Sequence, residues 1–141
     1  MRLFLLTLSI MAALASSCWA DVIAGRDRSE FERIISAQID AFRADDGPGA
    51  YRHAAPLIRQ YFPTPDIFMS MVKKGYPQVY RPQSFKFGDA GIDQTGNPTQ
   101  HVTIVGPDGK TYDALYTMQL QPDGSWQING CRILEISGLD A

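Results

Sequence analysis

The chain has 141 residues, a formal net charge of −2 and a hydrophobic content of 45%. This length fits one domain, and the hydrophobic content can support a core without crosslinks. The mildly acidic balance argues against nucleic acid and against an anionic membrane surface as partners.

The first twenty residues, MRLFLLTLSIMAALASSCWA, are typical of a signal peptide. A single positive charge at Arg2 precedes an apolar run from Leu3 to Leu14, which is too short to span a membrane comfortably. We therefore expect cleavage after Ala20 and export to the periplasm or to the outside of the cell. A lipid anchor at Cys18 is the alternative, but the preceding residues lack the leucine of a lipoprotein signal. No second apolar stretch of spanning length follows in the sequence.

Residues 21–28 are expected to form a short leader, followed by a single domain over residues 29–137 and a tail at 138–141. The segment from Ser29 to Glu32 matches a capping box, which starts a helix. An apolar stripe at helical spacing follows: Phe31, Ile34, Ile35, Ile39 and Phe42. The segment from Asp45 to Gly49 is expected to end this long helix, with glycine as its C-cap.

Shorter helices are predicted next. The stretch from Tyr51 to Phe62 indicates two short helical pieces broken at Pro56, because proline is tolerated only in a first helical turn. A better defined helix begins at the N-cap Thr64 and ends at Gly75, just after a pair of lysines.

This last helix has an uneven apolar surface. Its predicted buried face comprises Ile67, Phe68, Met71 and Val72. Met69 falls off that stripe, which makes it a candidate for the lip of a binding site. The chain from Tyr76 to Pro82 is expected to be an extended crossover to the first strand, because residues before proline are pushed out of the helical region.

After Pro82 the periodicity changes from helical to alternating. The predicted strands are a first one containing Phe85 and Phe87, then Val102 to Val105, Tyr112 to Leu120 and Trp126 to Leu134. A polar loop from Asp89 to Pro98 separates the first two. Two Pro-Asp-Gly turns separate the last three, which predicts an antiparallel meander.

Helices first and an antiparallel sheet afterwards predict an α+β fold. The helices are expected to cover the sheet face that carries Tyr112, Ala114, Tyr116, Met118, Leu120, Trp126 and Ile128. A bulge at Asn129-Gly130 would bring Cys131 and Ile133 onto that face, whereas a regular strand would place Arg132 and Leu134 there. The sequence leaves both phases open.

Two segments, TPDIFMSMVKKGYPQVYRP and PDGKTYDALYTMQLQPDGSWQINGCRILE, carry a resemblance to a known family. In this order they resemble a family of exported proteobacterial proteins catalogued as a domain of unknown function, over about residues 29–136. The resemblance implies the cystatin-like, nuclear-transport-factor-2-like (SnoaL-type) roll, in which one long helix and shorter ones pack on a strongly curved antiparallel sheet. Such rolls often hold an apolar pocket at the open end and often pair through their sheets. The resemblance implies no activity, because a fold is a weak guide to chemistry.

The candidate binding residues lie on the Met-rich helix, the crossover and the inner sheet face. They are Phe68, Met69, Tyr76, Tyr80, Arg81, Tyr116 and Trp126. A rich apolar face with a few phenols favours a small apolar or amphipathic ligand. The positive charges of Lys73, Lys74 and Arg81 are better explained as a solvated helix end than as a site for an anion.

No catalytic residue, metal or cofactor is predicted. The two histidines, His53 and His101, are too far apart in sequence to form a zinc site with the single cysteine that export would leave, Cys131. A free cysteine behaves as a small core hydrophobe, so an inert thiol is the better interpretation of Cys131. Asp113 is out of phase with Tyr116, which leaves the inward strand positions without a carboxylate base.

Three functions are compatible with these patterns. The first is a non-enzymatic binding or accessory module with a small apolar cavity or a protein partner. The second is a lyase or isomerase of the ketosteroid-isomerase or dehydratase type that uses Tyr80 or Tyr116 as a proton donor with an unrecognised base. The third is a homodimer without ligand, formed through the outer sheet face that carries Val105 and Leu115.

Overall fold

A computed structural model describes residues 23–134 of the chain. Within this range five helices are followed by four strands, which confirms the α+β order. The helices are α1 (Gly25–Arg43), α2 (Gly47–Tyr51), α3 (Pro56–Tyr61), α4 (Pro65–Gly75) and α5 (Pro77–Tyr80). The strands are β1 (Ser84–Ile92), β2 (Pro98–Val105), β3 (Thr111–Leu120) and β4 (Trp126–Ile133). The predicted signal peptide lies outside the described residues, and no helix within them is long and apolar enough to cross a membrane.

The four strands form one antiparallel meander in the order β1-β2-β3-β4, as the turn sequences predict. The sheet is open, because β1 and β4 are its two edges and do not pair with each other. Both Pro-Asp-Gly turns place their glycine at positive φ, 77° at Gly109 and 86° at Gly124. The aspartate of each turn accepts the backbone N–H two residues on, at 3.0 Å from Lys110 and 2.9 Å from Ser125.

The first helix begins and ends differently from the prediction. It starts at Gly25 rather than at Ser29, whose hydroxyl donates to the Gly25 carbonyl inside the helix, so the predicted capping box is wrong. At its other end the backbone N–H groups of Asp45 and Asp46 bond the carbonyls of the last turn in a Schellman motif. The left-handed residue is Asp45, with φ of 52°, and not the predicted glycine, because Gly47 already belongs to α2.

Helix α4 confirms the predicted caps and, for Phe68 and Val72, the predicted buried face, but Ile67 and Met69 are exchanged. Thr64 accepts the N–H of Ile67 at 3.2 Å, and the helix ends at Gly75. However, Ile67 is 47% exposed, whereas Met69 is only 7% exposed. The reason is α2, which packs against a second side of α4 and brings Gly47 close to Met69. The apolar surface of α4 therefore faces two neighbours rather than one.

The crossover after α4 is not extended. Residues Pro77–Tyr80 form the single turn α5, because proline suits the first helical position. The residues before the two prolines, Tyr76 and Arg81, do lie outside the helical region, with φ and ψ near −135° and 54° and near −138° and 60°. The proline rule is thus correct for each preceding residue and does not extend to the turn between them.

The phase of the last strand is resolved by a bulge. The β3–β4 register shifts between Thr117, which faces Gly130, and Met118, which faces Ile128. Asn129 is the extra residue, so Cys131 pairs with Tyr116 across the sheet and packs on the inner side. This places the thiol next to the helices.

Candidate ligand pocket

A partly open pocket lies between the short helices and the inner face of β3 and β4. Its volume is about 290 Å³. Its wall is formed by Gln38, Phe42, Ala54, Ile58, Phe62, Phe68, Met71, Val72, Tyr76, Val79, Tyr116, Ile128, Gly130 and Cys131. Helix α1 contributes the first two of these residues, and the short helical region from Ala54 to Val79 contributes eight more. The pocket therefore forms where short helices, rather than the long one, cover the sheet.

The wall is almost entirely apolar. Among the described residues that line the pocket, none is an Asp, Glu, Lys, Arg or His. Polar side-chain atoms come only from Gln38, Tyr76, Tyr116 and Cys131. A charged ligand would lose its hydration here without gaining a partner charge, so the wall suits a neutral molecule.

Tyr116 and Cys131 are paired across β3 and β4 at the floor of the pocket. The Tyr116 hydroxyl is sealed from solvent and has no hydrogen-bond partner among the described residues. The weakly accepting thiol of Cys131 lies beside it without reaching the geometry of a hydrogen bond. Burial raises the pKa of Tyr116 well above its ordinary value, with a smaller contribution from Cys131. Burial likewise raises the pKa of Cys131 to about 12, so both groups are neutral at physiological pH.

Gln38 is the buried amide of the pocket wall and is only 4% exposed. Its Nε2 donates to the backbone carbonyl of Ala50 at 3.2 Å, which ties α1 to α2. No donor among the described residues reaches its Oε1. Unlike the Tyr116 hydroxyl, that oxygen is not sealed from the space around it.

The predicted binding residues divide into two groups. Phe68, Tyr76 and Tyr116 line the pocket together. Met69 lies in the core beside Gly47, away from the pocket wall. Tyr80, Arg81 and Trp126 are likewise outside the lining.

Tyr80 and Arg81 instead hold the end of α1. The Tyr80 hydroxyl and the Arg81 guanidinium both bind the carboxylate of Asp45, the latter at 2.9 Å. Arg81 also donates to the carbonyl of Phe42 and lies over the Tyr80 ring, 4.4 Å from its centroid. These contacts offset the cost of a left-handed Asp45. This carboxylate–phenol contact lies at the end of α1 and not in the pocket, and the same is true of the contact between Asp108 and Tyr112 beside the first Pro-Asp-Gly turn, which is also outside the pocket.

Trp126 closes the opposite end of the sheet. Its ring packs edge-on against Phe31, with 4.9 Å between the centroids, and its Nε1 donates to Asp27 at 3.3 Å. Both contacts anchor the start of α1. Trp126 therefore has a structural role beside the start of α1 and not in the pocket.

Gln38, Ile58 and Phe62 are among the wall residues that were not anticipated from sequence. Gln38 stands at the same helical spacing as the apolar stripe of α1, between Ile35 and Ile39, and that spacing was a usable signal. Ile58 lies within α3 and Phe62 directly follows it, and the short predicted helix gave no indication of which side faces the sheet.

The histidines do not contribute to the pocket. Partial burial lowers the pKa of His53, and the charge of Arg52 acts in the same direction. His101 lies on β2 opposite Leu115 of β3. Within residues 23–134 no group of three His, Cys, Asp or Glu side chains is arranged to hold a metal ion.

A comparison with protein families matches residues 24–141 to a family described as a domain of unknown function (DUF4864). This range covers the helices, the sheet and every residue of the pocket wall. The comparisons with curated proteins and with solved structures gave no match.

Proposed function

This chain belongs to the DUF4864 family, and we propose that it is a non-enzymatic binding module that holds a small, neutral, mainly apolar molecule. The observation that carries the proposal is the uncharged wall of the 290 Å³ pocket. An engineered cavity of about 150 Å³ binds benzene, so roughly twice that volume accommodates about ten to twelve non-hydrogen atoms.

The chemistry of the wall favours binding over catalysis. The titratable side chains of the pocket are phenols and a thiol, and burial keeps Tyr116 and Cys131 protonated. A lyase or isomerase would require a base that changes its protonation near neutral pH within reach of the donor. The carboxylates that accept from phenols among the described residues, Asp45 from Tyr80 and Asp108 from Tyr112, lie outside the pocket wall.

The finer fold assignment and the location are part of this proposal. A long helix and short helices on one face of an antiparallel sheet with two register shifts support a nuclear-transport-factor-2-like cone. The charge and apolar run of the first twenty residues support export. We therefore place the binding module in the periplasm or outside the cell.

Binding of propylbenzene to the full chain tests the proposal, with calorimetry or protein-detected NMR as the readout. In Val72→Phe the larger ring occupies the pocket, so we expect the affinity to fall by about tenfold or more. The matched control is Ile67→Phe on the exposed side of the same helix, which should bind as the wild type does. Absence of binding to the folded wild type, or equal binding by both variants, would contradict the proposal.

A further inference from the structure

We propose that the ligand of this pocket carries a neutral hydroxyl group that donates a hydrogen bond to Oε1 of Gln38. This inference rests on the proposed binding function and names the chemical class of its ligand. It follows from the orientation of one buried amide, the acceptor oxygen that this orientation leaves without a donor among the described residues, and the absence of charge around it.

The orientation of the Gln38 amide is fixed by its neighbour. Nε2 lies 3.2 Å from the carbonyl oxygen of Ala50, which can only accept. The flipped amide would bring two acceptor oxygens together, so the nitrogen must face Ala50. The oxygen is therefore the atom left for another partner.

No donor among the described residues reaches that oxygen, although the Gln38 side chain is only 4% exposed. An acceptor in a nearly buried side chain is stabilised by any donor that reaches it, because leaving it unpaired is costly. Gln38 lines the pocket, and its Oε1 is not sealed from the space around it. A molecule in the pocket can therefore supply the donor.

The surroundings select a neutral donor. An ammonium group would require a carboxylate, and among the described residues the pocket wall contains none. A hydroxyl is a small neutral group that donates a hydrogen bond, so it can reach Oε1 of Gln38 while the rest of the ligand stays against the apolar wall.

The first test compares three probes of similar size on the wild-type full chain. 4-Propylphenol donates and accepts, 4-propylanisole only accepts, and propylbenzene does neither. We expect 4-propylphenol to bind about 3- to 10-fold more tightly than 4-propylanisole, the range of one neutral hydrogen bond. Equal affinities of all three would overturn the hydroxyl inference while leaving the binding module intact. No binding by any of them to folded protein would overturn both.

The second test assigns the hydrogen bond to Gln38. In Gln38→Leu we expect 4-propylphenol to lose its advantage over 4-propylanisole, while propylbenzene still binds. Gln100→Leu is the matched control, since Gln100 is also buried and donates to a backbone carbonyl but does not line the pocket. A preference for the phenol that survives in Gln38→Leu would contradict the assignment.

A third measurement needs no variant, because Gln38→Leu also removes the donor to Ala50 and can unfold the chain. The side-chain amide signals of Gln38 in labelled wild-type protein should shift on addition of 4-propylphenol. They should shift much less with propylbenzene, which fills the same space without a donor. Equal shifts with both probes would overturn the inference.

Discussion

The inner face of the sheet is covered in two different ways. Towards the start of α1, the side chains of Phe31, Ile35 and Ile39 are fully buried, and the ring of Trp126 packs against Phe31. Towards the end of α1, helices α3, α4 and α5 replace the long helix and leave a 290 Å³ pocket. Short helices present few side chains each, so their inward surfaces do not interdigitate as completely as one long stripe does. The comparison separates a filled region that provides stability from a pocket region that is open for a ligand.

The largest expected difference concerns two phenylalanines. Phe31→Ala should destabilise the protein by about 3–5 kcal/mol, because it creates a cavity in the filled region. Phe62→Ala in the pocket wall should cost about 1–2 kcal/mol, because that side chain is already partly exposed. Urea unfolding of both variants measures the difference. Equal losses would remove the distinction between the two regions.

The reverse substitution, from small to large, should sharpen the same comparison. Val102→Phe inserts a ring into a fully buried position outside the pocket wall and should cost about 1–3 kcal/mol. Val72→Phe can extend its ring into the pocket and should cost less than about 1 kcal/mol. The midpoints of thermal unfolding of the two variants measure this difference in stability. A larger loss for Val72→Phe would show that the pocket does not accept extra volume.

Alkaline pH should weaken the pocket region through Cys131. Its thiol has an ordinary pKa of 9.0 and a pKa of about 12 in the folded protein. Between these values the unfolded chain releases the proton and the folded chain keeps it, so this contribution to stability is complete below pH 9 and falls as the pH rises towards 12. Cys131→Ala should therefore lose less stability than the wild type between pH 7 and pH 10 in urea unfolding.

The reactivity of the Cys131 thiol gives a check on the folded state. At pH 8 a thiol-modifying reagent should react with Cys131 far more slowly in native protein than in urea, because the thiolate is the reactive form. Fast modification of the native chain would contradict the raised pKa.

The smallest expected effect compares two tyrosines. The Tyr51 hydroxyl donates to the carbonyl of Phe62 at 2.7 Å, so Tyr51→Phe should cost about 1 kcal/mol. The Tyr116 hydroxyl has no partner among the described residues, so Tyr116→Phe should be neutral or stabilising by up to about 1 kcal/mol. Thermal unfolding of the two variants should give changes of opposite sign or clearly different size. A cost at Tyr116 equal to that at Tyr51 would mean that its hydroxyl is paired.

The sequence predicts the features that depend on local chemistry. The caps of α4 and the two Pro-Asp-Gly turns are each determined by neighbouring residues, and the structure confirms them. The burial of Met69 in place of Ile67 was beyond such patterns, because it depends on α2 packing against a second side of α4. The predicted start of α1 was also wrong, because Ser29 suits an N-cap but the helix already begins at Gly25.

The candidate pocket was partly predictable for the same reason. Phe68, Tyr76 and Tyr116 were identified as aromatic residues near the junction of helices and sheet, and the structure brings them together. Tyr80 was selected on equal grounds, yet its hydroxyl binds Asp45, a partner 35 residues away that no local pattern indicates. The residues of β4 that face the helices likewise depended on a bulge at Asn129, and the sequence was compatible with a strand that has this bulge and with one that lacks it.

The connection between α2 and α3 has a consequence for self-association. The backbone of His53 and Ala55 exchanges two hydrogen bonds with Ile128, at 2.7 Å and 2.8 Å, and thereby covers part of the free edge of β4. An uncovered strand edge is a template for pairing with another chain, and short covering segments suppress such growth. The other edge, β1, is interrupted by a register shift beyond Phe87. Each side of the sheet therefore has its own protection against edge-to-edge aggregation.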